Sequence, residues 1–133
     1  ETFDELFPVI LTDNGSEFSN PTKIERREQA PTDFARLRTN LYYCDAGSPY
    51  QKGAIEVNHE LIRRILPKGT SFDDLTQKDI FLMMNHINSY RRAKLGNRTP
   101  YEAFTFYYGK GPLEKLGYSQ IDPSCVVMTT ETV

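Results

Sequence analysis

The run Val9-Ile10-Leu11-Thr12-Asp13-Asn14-Gly15-Ser16-Glu17-Phe18 decides how this chain is read. Val9 to Thr12 are apolar or β-branched, follow Pro8, and stop at Asp13-Asn14-Gly15-Ser16. That pattern predicts a short buried strand, and a tight turn after it, because Asn and Gly both accept positive φ. Asp13 then stands at a strand exit, where two readings are open. It is a turn residue, or it is a metal ligand whose oxygen the strand holds in place while the loop leaves room for substrate. Hard cations such as Mg²⁺ or Mn²⁺ take carboxylate oxygen and keep waters free for a substrate phosphate.

Outward from that run, residues 1–6 predict the end of a helix, which Pro8 breaks. Asn20 as N-cap and Pro21 at the first helical position predict a helix through Lys23–Gln29. Thr39–Cys44 predicts a second short strand, with Leu41 and Tyr43 on one side and Tyr42 and Cys44 on the other. Gln51–Leu66 predicts the clearest helix. At about 100° per residue Ala54, Val57, Leu61, Ile62 and Ile65 share one side, while Lys52, Glu56, His59, Glu60 and Arg63 share the other. Pro67-Lys68-Gly69 ends it. A further helix is predicted from Thr76 to about Tyr90, with Asp79 in its first turn and Ile80, Met83, Met84 and Ile87 as its apolar positions. Thr99-Pro100 starts a short one.

Glu56 also carries two readings: an exposed glutamate favoured near a helix N-terminus by the dipole, or a ligand beside the phosphate contacts Lys52 and Arg63. His59 and His86 are solitary and read as surface or packing residues. No Ser-His-Asp pattern, Gly-rich phosphate loop or cysteine nucleophile is present.

Bulk properties narrow the classes. A chain of 133 residues is one domain in size, and 38% hydrophobic with 12% aromatic residues is enough to bury a core. No apolar run is long enough to cross a bilayer and no charged-then-apolar leader opens the chain, so a soluble, cytoplasmic protein is expected. Cys44 and Cys125 lie far apart and in no metal-ligand spacing. The net charge of −2 hides segregation: residues 1–18 hold five acids and no base, whereas 86–98 hold Arg91, Arg92, Lys94 and Arg98 and no acid. Such polarity suits an acidic metal pocket beside basic phosphate contacts, though most basic clusters are solvated faces.

Three segments, taken in order, resemble one family. Residues 9–18 are similar to the second-aspartate segment of retroviral-integrase-like transposases. Cys44-Asp45 through Ser48-Pro49-Tyr50-Gln51-Lys52-Gly53, then Glu56 and Leu61-Ile62-Arg63-Arg64, resembles the stretch leading into the helix with the family's glutamate. Asn88 through Arg91-Arg92-Ala93-Lys94-Leu95-Gly96 and Thr99-Pro100-Tyr101-Glu102-Ala103-Phe104 is similar to the ending of bacterial insertion-sequence transposases of the insertion-sequence-thirty type.

That resemblance implies an α/β, RNase H-like (integrase core) fold, incomplete at its N-terminus, with short strands followed by mainly helices. Residues 1–104 would be the C-terminal part of a D-D-E catalytic core and 105–133 an irregularly packed extension. It implies Asp13 and Glu56 as the second and third acidic ligands, with the first aspartate upstream. It implies Mg²⁺ or Mn²⁺ as cofactor, two ions in the complete enzyme and a weak or empty site here, so that the chain alone is inactive. The implied reaction is phosphoryl transfer on DNA: water frees a 3′-hydroxyl at the element end, and that hydroxyl attacks the target. Asn14, Lys52, Arg63, Arg91, Arg92 and Lys94 would contact DNA. The implied partners are transposon ends, target DNA and further copies of the chain, with no membrane and no small-molecule substrate.

Two departures stand out. Asp13 and Glu56 are separated by 42 residues, more than the family's usual spacing, which predicts an extra loop or helix within residues 19–38. Ile55 and Val57 flank Glu56 where relatives often carry asparagine. The competing reading is a non-catalytic DNA-binding or assembly module, and a third is a generic RNase H-like nuclease. Thr99-Pro100 disfavours the last.

Overall fold

Short parallel strands and short helices alternate along the first part of the chain, and helices alone follow, a mixed α/β arrangement. The computed structural model describes residues 2–26 and 37–133, in two compact units, Glu1–Gly53 and Ala54–Val133.

In the first unit, α1 (Thr2–Leu6) precedes β1 (Val9–Thr12), α2 (Pro21–Glu25) follows, and β2 (Asn40–Tyr43) completes the set. The strands pair in parallel, Val9 opposite Asn40 through Thr12 opposite Tyr43. Parallel strands need a crossover between them, and α2 lies on it. The helix expected to run to Gln29 stops at Glu25, and Gln29 lies outside the described residues. Arg38 ties the crossover down. Its side chain donates to the Ile24 carbonyl at 2.7 Å and the Lys23 carbonyl at 3.3 Å, and its guanidinium lies 4.8 Å from the Phe3 ring centroid. The Glu25 carboxylate accepts the Leu41 N–H at 2.9 Å.

The expectation of a buried β1 is corrected. Only Thr12 is buried, while Val9 and Leu11 are 57% and 47% exposed. The cause is that the described sheet has two strands, so the apolar side chains of β1 have one neighbouring strand and little cover. In β2 the expected alternation also fails at its end. Leu41 and Cys44 are buried whereas Tyr42 and Tyr43 are exposed, because Cys44 lies just past the strand and no longer follows its pleat.

The second unit is built on α3 (Gly53–Ile65) and α4 (Gln77–Asn88), with α5 (Pro100–Tyr108) and α6 (Gly111–Lys115) after them. A 3₁₀ turn, Pro49–Lys52, leads into α3. Leu61, Ile65, Leu66, Met83 and Ile87 form the core, with Ile62, Leu75, Ile80, Met84 and Met128 packed against it. The spacings predicted for α3 and α4 supply most of these. Ala54, on the predicted apolar side, is exposed. Each fully buried aliphatic side chain stabilises by roughly 1.5–3 kcal/mol.

Helices α4 and α5 begin with reciprocal caps. Thr76 accepts from the Asp79 N–H and the Asp79 carboxylate from the Thr76 N–H; Thr99 and Glu102 do the same for α5. The Thr99 side chain is fully buried, so removing its hydroxyl leaves the Glu102 N–H without its acceptor. Thr99→Ala is expected to cost about 1–2 kcal/mol, read as a lowered denaturation midpoint with an unchanged slope against denaturant.

The chain beyond α6 is fastened to α4 by polar side chains. Asn85 exchanges two hydrogen bonds with Ser119, at 3.2 and 3.1 Å. Ser89 accepts the Ile121 N–H at 2.9 Å. His86 Nδ1 accepts the Val127 N–H at 3.0 Å. The Thr132 hydroxyl closes the end by donating to the carbonyls of Val127 and Thr129, at 2.9 and 2.8 Å. An Nδ1 that accepts belongs to the neutral imidazole, and burial lowers the His86 pKa below its ordinary 6.5. Folding therefore favours the unprotonated form. The stabilisation is complete above pH 6.5 and is lost as the pH falls from there through the lower folded-state value. Denaturation midpoints should be flat above neutrality and decline on acidification, and His86→Gln should remove that decline. A wild-type midpoint that holds level to pH 5 would contradict this.

Candidate functional site

At the carboxyl ends of β1 and β2 the chain turns away from the sheet, and in parallel sheets this is where ligands gather. Asp13 leaves β1 there and is exposed; its Oδ1 accepts the Gly15 N–H at 3.2 Å. Asn14 reaches across to donate to the Cys44 carbonyl at 3.3 Å, tying the two strand exits together. Tyr43 OH donates to the Phe18 carbonyl and holds the far side of the same turn. The turn does not use positive φ, which corrects the sequence expectation. Gly15 has φ −62° and ψ 149°, and Asn14 is not among the residues with positive φ. Gly15 matters for space instead: a Cβ there would lie 2.5 Å from the Glu17 carboxylate, which would have to swing away.

Asp45 lies just past β2, and the resemblance implies no role for it. Its carboxylate accepts from Gln51 Nε2 at 2.9 Å and its N–H donates to Gln51 Oε1 at 2.9 Å. This two-way clamp sets the path of the chain between the end of β2 and the turn before α3. A Gln six residues beyond an Asp carries no local pattern, so sequence had no means of pairing them.

On α3, Glu56 lies in the first turn and is exposed. With His59, Glu60, Arg63 and Arg64 it lines a shallow open depression on the solvent side of the helix. That is the polar side the spacing predicted. Asp13 and Glu56 belong to different compact units, and each is placed within its own. Lys52 lies in the 3₁₀ turn ahead of α3. Among the described residues no group of three or more His, Cys, Asp or Glu side chains could hold a metal ion.

The basic cluster is not uniform. Arg92 N–H donates to the Arg98 carbonyl at 3.1 Å, closing a loop whose return is made by Gly96 and Asn97, at φ 63° and 62°. Glycine meets that left-handed conformation freely, and asparagine tolerates it. Arg91, Lys94 and Arg98 are exposed on this loop. Arg92 is half-buried, its Nη2 donates to Asn58 Oδ1 on α3 at 2.8 Å, and burial lowers its pKa. It braces the loop against α3, and Asn58 is a residue the sequence reading did not single out.

Comparison with known proteins supplies the class. The chain is 33% identical over 99 residues to the transposase of insertion sequence element IS4351 from Bacteroides fragilis, a match covering 74% of this chain and 28% of that protein. It is 41% identical over 86 residues to a protein of Spiroplasma virus SpV1-R8A2 B named as an integrase, covering 65% and 24%. To transposase InsI of IS30A from Escherichia coli K12 it is 37% identical over 62 residues, covering 47% and 16%. These are transposases and integrases. Within that class the chain belongs to the insertion-sequence transposases of the IS30 type. It spans about a quarter of the length of the first two of these relatives. No protein-family model and no solved structure matches it. No described helix is long and apolar enough to cross a membrane.

Proposed function

We propose that this chain is the C-terminal part, residues 1–104, of an RNase H-like catalytic core that cuts and joins DNA in transposition, with 105–133 an extension of it. Asp13 and Glu56 are two of its acidic metal ligands. The observation that carries this reading is the exposed Asp13 carboxylate at the carboxyl end of a parallel strand, in a chain related to transposases over 74% of its length. The donor chemistry fits a hard cation: both side chains are exposed carboxylates, one held at a strand exit and one in a helix's first turn. The donor number falls short of three among the described residues, so a third acid of the set is assigned to none of them.

Mg²⁺ or Mn²⁺, when bound, supplies charge stabilisation for an in-line displacement at phosphorus. Asp13 and Glu56 hold and orient it. Arg63, Arg91 and Lys94, all exposed, contact backbone phosphates, and Lys52 and Asn14 are assigned to DNA contact with them. Arg92 contributes by bracing the loop and has less of its side chain free for phosphate. The DNA contacts are sequence-independent and salt-sensitive. Replacing Arg63, Arg91 or Lys94 by Ala should each reduce the slope of log K against log salt by about 0.9 on duplex DNA, measured by fluorescence anisotropy.

The test of the reaction is strand cleavage by the complete open reading frame on DNA bearing the element's ends. Cleavage that requires Mg²⁺ or Mn²⁺ and leaves a 3′-hydroxyl is the expected result. Duplex binding without cleavage under any divalent ion would replace this reading with that of a non-catalytic DNA-binding module.

A further inference from the structure

We propose that Phe106 and Tyr107, together with Arg98, form a platform on which an unpaired base of a DNA strand stacks; this rests on the reading that the protein works on DNA. The observation is an exposure that packing does not account for. Helix α5 buries Tyr101 near its start, yet leaves Phe106 71% and Tyr107 76% exposed near its end. Their rings meet edge to face, with centroids 5.2 Å apart and planes at 88°. The Arg98 guanidinium lies 5.6 Å from the Phe106 centroid. Arg98 also closes the loop carrying the exposed Arg91 and Lys94, and residues 91–98 contain no acid.

The charge selects the occupant. An apolar patch awaiting another protein would bring its partner against the exposed cations Arg91, Lys94 and Arg98 of the adjoining loop. A nucleic-acid strand brings a phosphate with every base, so the cation beside the ring matches a phosphate beside a base. Aromatic faces flanked by Arg or Lys are the usual means of holding single strands, the base on the ring and the backbone on the cation. The base must be unpaired, because inside a duplex its faces are covered by neighbouring pairs. DNA ends and strands opened during cleavage offer such bases.

These 133 residues contain no tryptophan, so Phe106→Trp adds an indole in the platform whose emission is read as the difference from the wild type. With the complete protein, titration with oligothymidylate or with a duplex bearing a 3′ overhang should quench its emission, and a blunt duplex should not. Phe106→Ala and Tyr107→Ala should each weaken single-strand binding about tenfold while leaving blunt-duplex binding within about twofold. Tyr107→Phe should bind as the wild type does. Phe106→Leu, which keeps the apolar area without the π face, should bind as Phe106→Ala does. Equal single-strand affinity in wild type and Ala variants would overturn the proposal. So would loss of self-association in those variants at unchanged single-strand affinity, which would make the patch a subunit interface. Wild type that binds and cleaves duplex with no overhang preference sinks the platform alone. Wild type that binds no DNA sinks the platform and the proposed function together.

Discussion

Replacing Asp13 by Asn, or Glu56 by Gln, is expected to lower metal-dependent strand cleavage by the complete open reading frame about a thousandfold. Loss of a charged ligand removes several kcal/mol of charge stabilisation, and about 4 kcal/mol corresponds to three powers of ten in rate. Neither change should unfold the protein. Both side chains are exposed, and an Asn at 13 keeps an oxygen to accept the Gly15 N–H that Asp13 now accepts. Duplex affinity should stay near that of the wild type, because phosphate contacts come from the cations. The double variant should be little worse than either single one, since ligands of one centre act as a unit. A variant that keeps a tenth or more of the wild-type rate would remove that residue from the ligand set.

The largest effect on stability is expected at Ile87. It is 1% exposed and sits with Ile65, also 1% exposed, at the centre of the second unit's core. Ile87→Ala should cost about 3–4 kcal/mol, combining lost burial with a cavity that α3 and α4 cannot close. Ile87→Val should cost about 1 kcal/mol. The check is urea denaturation followed by circular dichroism. If Ile87→Ala cost no more than the exposed Phe106→Ala, the packing described for α3 against α4 would be wrong.

What could be read from sequence was what nearby residues determine. The capped start of α4 at Thr76, its apolar positions 80, 83, 84 and 87, and the Thr99-Pro100 start of α5 all follow from intervals of three or four residues. The position of the turn after Thr12 was legible for the same reason. Its mechanism was not: glycine at 15 leaves room for the Glu17 carboxylate instead of supplying a left-handed φ. Burial of β1 was misread because an apolar run says which residues could be covered, and not whether a covering layer exists. Arg92 was grouped with its solvated neighbours, yet its partner Asn58 is 34 residues away. The same distance in sequence hid the Asn85–Ser119 pair, and His86 meets Val127 across 41 residues. Contacts of that kind are set by the packing of whole helices, and no local window contains them.

The proposal that Asp13 and Glu56 hold one ion is best tested by paramagnetic broadening with Mn²⁺, which detects even weak sites in fast exchange. The protein, labelled with ¹⁵N and bound to DNA, would be titrated with substoichiometric Mn²⁺. The account predicts that the amides of Asn14 and Gly15 and those of Val57 and Asn58 broaden together, and that either Asp13→Asn or Glu56→Gln restores both groups. Broadening of one group alone, or of both groups with each variant restoring only its own, would contradict it.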